Sequence, residues 1–174
     1  MSIPQTVEWL ERLFGHEGGL SLDPQDPGNW TGGRPGKGVL KGTKYGISAA
    51  AYPERDIASL TREHAALIYE LDYLTPLRVE RFHDGVGFQL FDYAVNAGVD
   101  GAIKGLQRAL GVVADGKIGP VTLAALNALT ETDVIMRVAA QRIRAYVRDP
   151  KWATYGAGWM NRMADNLDYG AEDS

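Results

Sequence analysis

The stretch that decides the reading of this chain runs Glu17-Gly18-Gly19, then Asp23-Pro24-Gln25-Asp26-Pro27-Gly28, and closes on Thr43-Lys44-Tyr45-Gly46-Ile47. Upstream, Val7, Leu10, Leu13 and Phe14 recur at helical spacing and Pro4 suits a first turn, so a helix is expected to lead into Glu17. Gly18 and Gly19 are expected to end it, leaving Glu17 in the last turn. There, partial burial and the negative end of the helix dipole both raise a carboxyl pKa. Asp23 and Asp26 each precede a proline, which biases them toward extended or turn backbone. Together these residues make a two-carboxylate hydrolase site of the kind that glycosidic bond cleavage needs. One acid protonates the leaving oxygen, and a second carboxylate activates water or attacks the sugar. Glu17 fits the acid role. Asp26 is favoured for the second role because the Asp-Pro-Gly step that begins there makes a sharp turn. The alternative for both aspartates is that they cap turns, a common use of Asp beside Pro and Gly.

Residues 8–52 resemble glycoside hydrolase family 108, the N-acetylmuramidase-like proteins found among phage endolysins and bacterial proteins labelled secretion activators. The family signature runs Glu-Gly-Gly, a short spacer, Asp-Pro-x-Asp-Pro-Gly-Gly, then Thr-x-x-Gly-Ile. Here it reads Glu17-Gly18-Gly19, Asp23-Pro24-Gln25-Asp26-Pro27-Gly28-Asn29 and Thr43-Lys44-Tyr45-Gly46-Ile47. The resemblance implies that Glu17 is the catalytic acid. The spacing is also similar to that of phage-type lysozymes, and by that likeness Asp26 and Thr43 position the hydrolytic water. Two departures stand out: Asn29 replaces the second Gly, and residues 30–42 form a longer Gly/Lys-rich loop. Gly32, Gly33, Gly36, Gly38 and Gly42 predict a mobile surface loop of the kind that lines sites. Its Arg34, Lys37 and Lys41, with Lys44, either meet the carboxylates of peptidoglycan stem peptides or are simply solvated. Trp30 and Tyr45 are candidate platforms for a sugar ring, with ordinary packing as the alternative. Asp23, Trp30, Tyr45 and Asn96 are the expected substrate-binding residues.

The second half carries its own resemblance. From Phe91-Asp92-Tyr93-Ala94-Val95-Asn96 through Leu106-Gln107-Arg108-Ala109-Leu110-Gly111 to Asp115-Gly116-Lys117-Ile118-Gly119-Pro120-Val121-Thr122, it is similar to a predicted peptidoglycan-binding module. A structural role would produce the same residues, since Asp115-Gly116 makes a turn and Gly119-Pro120 opens a helix. Helices are expected over 48–52, over 62–74 behind Thr61 as N-cap with Pro76 beyond the end, over 85–97 behind Asp84, along Ala102-Ile103-Leu106-Leu110 up to Gly111, from Pro120, over about 133–148, and around Trp159, Met163 and Leu167. Alternating strand character is confined to 39–47. The expected fold is therefore mainly α and lysozyme-like, with a long Gly-rich active-site loop, room for a small β-hairpin, and a helical C-terminal half packed on the rest. The expected organisation is a catalytic region at 1–85 and a helical peptidoglycan-binding region at 86–170. The alternative is that the second is integral to one domain, since no Pro/Gly/Ser linker divides them, which favours one continuous body.

At 174 residues with a formal charge of -4, the chain lacks the basic face that phosphate backbones call for, so nucleic acid is not an expected partner. There is no cysteine, and His16, His64 and His83 are scattered, so no metal and no cofactor are expected. His16 beside Glu17 is read as a boundary residue, since adjacent helical positions point about 100° apart. No integral membrane segment is apparent, and the N-terminus lacks the basic start and apolar run of a secretory signal. The expectation is a monomeric endolysin-type lysozyme that hydrolyses the β-1,4 bond between N-acetylmuramic acid and N-acetylglucosamine. It would be made in the cytoplasm and reach the wall through a holin-type route. The rival readings are a lytic transglycosylase, which would use Glu17 but not Asp26, and a non-catalytic wall-binding or secretion-assisting protein.

Overall fold

The computed structural model describes residues 3–15 and 19–173. The chain divides into two compact units, Met1–Leu71 and Asp72–Ser174.

The first unit opens with α1 (Ile3–Phe14). Its inward stripe is Thr6, Trp9, Leu10 and Leu13, the i, i+3, i+4, i+7 spacing of an amphipathic helix. The helix stops at Phe14, where Gly15 takes φ 64, rather than running on to Gly18. A loop region follows, containing one tight helical turn at Pro27–Asn29. Strands β1 (Thr43–Lys44) and β2 (Ile47–Ser48) then pair antiparallel, with Thr43 opposite Ser48. Residues 48–52, expected as a helix, instead form the end of β2 and a single turn closed by the Tyr52 N–H on the Ser48 carbonyl at 3.0 Å. Pro53 follows at once and disfavours helical backbone at the residue before it.

Helix α2 (Arg62–Tyr69) starts as the sequence indicates. The Thr61 hydroxyl accepts the His64 N–H at 3.2 Å, and His64 Nδ1 accepts the Thr61 N–H at 3.4 Å. An Arg62–Glu11 ion pair ties α2 to α1. The helical run then loosens into a wide turn at Glu70–Leu74 and re-forms as α3 (Thr75–Leu77). Pro76 thus sits inside the run instead of beyond it. A proline has no N–H to give and crowds the preceding turn, so widening of the ladder just before it is the expected accommodation.

The second unit is built on α4 (Asp84–Leu110), α5 (Pro120–Asn127), α6 (Glu131–Val147) and α7 (Trp152–Asp173), with α4, α6 and α7 packed on one another. Asp84 is the first residue of α4, not its cap. Gly98, at φ 75 and ψ 160, breaks α4 in two, and Gly111 ends it. Phe88, Leu90, Phe91, Ala94, Val134, Val138 and Met163 fill the core.

Asp92 sits in that core, 2% exposed. Its carboxylate is held by an ion pair with Arg142, by Arg162 Nε at 2.7 Å and by Asn166 Nδ2 at 2.7 Å. Arg142 also donates to the Tyr146 hydroxyl at 2.8 Å, and its guanidinium lies 5.0 and 5.4 Å from the ring centroids of Tyr93 and Tyr146. Burial alone would push the Asp92 carboxyl up, but the two arginines overcome it and hold the group below the usual carboxylate range. Its folded pKa therefore lies under the unfolded one. The contribution is complete above the unfolded value and is lost as pH falls through the folded value. Asp92→Asn, which strands two buried or half-buried cations, is expected to cost about 3–5 kcal/mol in urea unfolding at neutral pH. It should also flatten the loss of stability below about pH 4.

Candidate active site

Asp23 and Asp26 lie on consecutive turns. The Asp23 carboxylate accepts the Gln25 N–H through Oδ1 at 2.9 Å, and the Asp26 carboxylate accepts the Gly28 N–H through Oδ1 at 2.8 Å. Both are turn caps, and both are exposed. Each leaves its second oxygen without a protein partner among the described residues, so capping fixes the side chain and still leaves a carboxylate face for chemistry. The Asp26 N–H donates to the Asp23 carbonyl at 3.2 Å, which links the two turns.

Asn29 anchors this arrangement. It is fully buried, and its Nδ2 donates to the Asp23 carbonyl at 3.0 Å and toward Ser21 Oγ at 3.5 Å. Its main-chain carbonyl accepts the N–H groups of both Lys41 and Gly42 at 3.0 Å, while its side-chain Oδ1 is buried without a partner among the described residues. Gly42 is required here: at φ 86 its backbone passes so close to Ser21 that an added Cβ would meet the Ser21 carbonyl oxygen at 2.4 Å. Ser21 and Thr43 then exchange backbone hydrogen bonds at 2.8 and 3.0 Å. The Gly-rich stretch is not a structureless loop. Trp30 bridges to Leu40, the Thr31 N–H donates to the Val39 carbonyl, and Trp30 Nε1 donates to the Pro24 carbonyl at 3.0 Å.

Thr43 stands on β1 opposite Ser48, and the position a Gly28 Cβ would take lies 3.7 Å from the Ser48 Cβ and 3.2 Å from Asp26 Oδ1. The Asp26 turn therefore lies beside Ser48, the strand partner of Thr43. The Thr43 hydroxyl has no protein partner among the described residues. The hairpin turns at Tyr45 (φ 51) and Gly46 (φ 73), the left-handed pair of a two-residue connection that Gly enters freely and Tyr does not. The Tyr45 carbonyl accepts from the Tyr69 hydroxyl at 3.4 Å, and its half-buried side chain borders a hollow of about 20 Å³ beside Leu10, Arg62 and Ala65. Glu17, with His16 and Gly18, lies outside the described residues.

The basic residues around this loop divide. Lys41 Nζ donates to the carbonyls of Pro53 and Arg55, and Lys44 Nζ to that of Ala58 at 2.8 Å, so these two brace the chain, while Arg34 and Lys37 are exposed. Among the described residues no cluster of three or more His, Cys, Asp or Glu is placed to hold a metal.

In the second unit Asn96 is exposed just before the Gly98 break, and its Nδ2 donates to the Asp92 carbonyl at 3.0 Å. It borders a hollow of about 190 Å³ with Tyr93, Asp149 and the stacked pair Tyr146–Trp159, whose centroids lie 4.9 Å apart. Within the Asp115–Thr122 motif, Ile118 and Thr122 are buried and Asp115, Lys117, Pro120 and Val121 are exposed. Buried Gln107 donates to Asp115 Oδ1, the Lys117 carbonyl and Thr122 Oγ1, and accepts the Gly116 N–H at 2.9 Å. The hydrogen bond from Gln107 and that from the Lys117 N–H hold the Asp115 carboxyl below its ordinary range. Neither Asn29 nor Gln107 was singled out as an anchor from sequence. The signal at Asn29 was its presence where the family signature has Gly.

A family model described as Glycosyl hydrolase 108 matches residues 10–98, and one described as Predicted Peptidoglycan domain matches residues 101–164, so both resemblances read from the sequence are borne out. The two matches meet at the Gly98 break of α4. The solved structure of SagA from Brucella abortus is similar at 26% identity, covering 99% of this chain and 97% of that one, with a TM-score of 0.79. Both findings fit the mainly α, lysozyme-like fold expected from the sequence. No curated protein matches the chain.

Replacing Asn29 by Ala removes the bond that holds the Asp23 turn and opens space in a buried position. The expected cost is about 1–3 kcal/mol in chemical denaturation.

Proposed function

The chain belongs to the glycosyl hydrolase 108 family, and from that premise we propose that it cleaves the β-1,4 bond between N-acetylmuramic acid and N-acetylglucosamine in peptidoglycan. The observation that carries the reading is the family match over residues 10–98, which takes in the Glu-Gly-Gly step, the two aspartate turns and the Thr-x-x-Gly-Ile hairpin together. The match over 101–164 supports peptidoglycan as the polymer engaged.

In the proposed mechanism Glu17 donates its proton to the glycosidic oxygen as the bond to the muramic acid C1 breaks. A water attacks that carbon, with the free oxygen of Asp26 accepting its proton and the Thr43 hydroxyl orienting it. The Asx turn at Gly28 supports this role, because it spends one Asp26 oxygen on positioning and keeps the other for water. Trp30, Tyr45, Asp23 and Asn96 are assigned to substrate contact. Passage to the wall through a holin-type pore is the proposed route; among the described residues no helix is long and apolar enough to cross a membrane.

Digestion of purified peptidoglycan followed by mass spectrometry tests the reading. Reducing N-acetylmuramic acid ends are expected from the wild type, with a loss of about 10²-fold or more in Glu17→Gln. Anhydro ends would replace hydrolysis by transglycosylation, and fragments from Glu17→Gln at the wild-type rate would refute the proposed acid. Asp26→Asn separates chemistry from folding. An asparagine oxygen can cap the same turn, so its melting temperature should be almost unchanged while hydrolysis falls by a similar factor.

A further inference from the structure

On the second unit Arg108 of α4 and Asp133, Met136, Arg137, Gln141 and Arg144 of α6 line a surface groove of about 360 Å³. Two small, half-buried residues, Ala109 and Ala140, complete the lining. The α6 members follow one another at spacings of three and four, a single stripe down one side of the helix. All three arginines are exposed. Of the other arginines, Arg12, Arg62, Arg78, Arg81, Arg142 and Arg162 each face a carboxylate, whereas Arg34, Arg55 and Arg148, which have no carboxylate partner among the described residues, do not line this groove. Arg108, Arg137 and Arg144 have no carboxylate partner among the described residues. Asp133, the acid within the groove, is engaged at the start of α6, where its Oδ2 accepts the Thr130 hydroxyl at 2.8 Å.

Three arginines without a carboxylate partner line one groove in a chain of net charge -4 and give that groove a local field that favours anions. Arg137 and Arg144, seven residues apart on one helix face, are separated by about 10 Å along the axis. That span is covered by about three residues of extended peptide. Planar guanidinium groups hold carboxylates in two-pronged contacts, and Met136, 58% exposed, gives an apolar surface for aliphatic side chains. The groove lies wholly within the segment matched as a peptidoglycan domain.

We propose that this groove binds the peptide stems of peptidoglycan through their free carboxylates, with Arg137 and Arg144 as the two principal contacts and Arg108 as a third. The proposal rests on the reading of peptidoglycan as the substrate and adds the part of the polymer that the second unit grips. The Gln107-centred turn, whose polar groups are bonded internally, is not the gripping surface.

The test is calorimetric titration of the full chain with a soluble disaccharide-tetrapeptide, the same compound with its carboxylates amidated, and a stem-free glycan oligomer. The wild type is expected to bind the free-carboxylate compound about tenfold more tightly than the amidated one at low salt, and the preference should shrink as salt rises. Arg137→Gln/Arg144→Gln should lose the preference, Arg137→Lys/Arg144→Lys should keep part of it, and both should cleave the stem-free glycan as the wild type does. An unchanged preference in the Gln variant, or equal binding of free and amidated stems, would overturn the proposal. So would tighter binding of phosphatidylglycerol vesicles or an RNA oligonucleotide that disappears in the same variant. Failure of the wild type to cleave any glycan while the stem preference survives would sink the hydrolase reading and leave the groove assignment standing.

Discussion

Buried polar side chains tie the loops of both units to the chain around them, Asn29 through its amide nitrogen with its Oδ1 left without a partner among the described residues. In the first unit Asn29 has no exposed surface; the Asp23 turn is held by its side-chain amide nitrogen, while Lys41 and Gly42 donate to its main-chain carbonyl. These contacts close the long excursion between Asp23 and Thr43. In the second unit Gln107 does the same for the turn before α5, and Asp92 does it for three helices at once.

The capping and catalytic readings of Asp26, which look like competitors in the sequence, are compatible in the structure. A carboxylate has two oxygens, and the turn needs one. Fixing the side chain by a backbone N–H removes the rotamer freedom that a catalytic base would otherwise lose on binding substrate. The same division separates the lysines of the Gly-rich loop. Lys41 and Lys44 hold backbone carbonyls across to residues 53–58 and are structural, whereas Arg34 and Lys37 are exposed to solvent.

Most of the helical frame was legible because its signals are local. Thr61 with a side chain returning from His64, Pro120 at a helix start and Gly111 at a helix end each act through neighbours a few residues away. The misreadings have non-local causes. Residues 48–52 have helix-permissive composition, but Ser48 is claimed by Thr43 across the hairpin. The end of α1 was placed at the Gly18-Gly19 pair, yet Gly15 takes the left-handed conformation first. Pro76 reads as a stop, although a widened turn carries the chain past it. The site residues were legible as a motif, and the structure places the Asp26 turn beside Ser48, the strand partner of Thr43. The anchor Asn29 was passed over as a mere departure from a pattern, because burial of a polar side chain is a property of the folded loop rather than of its composition.

The most direct measurement is a crystal structure of the Glu17→Gln protein soaked with a peptidoglycan glycan tetramer. The account predicts a scissile bond held between residue 17 and the free oxygen of Asp26, with an ordered water shared by Asp26 and Thr43. A glycan bound well away from Asp26 and Thr43, with that carboxylate still facing bulk solvent, would contradict it.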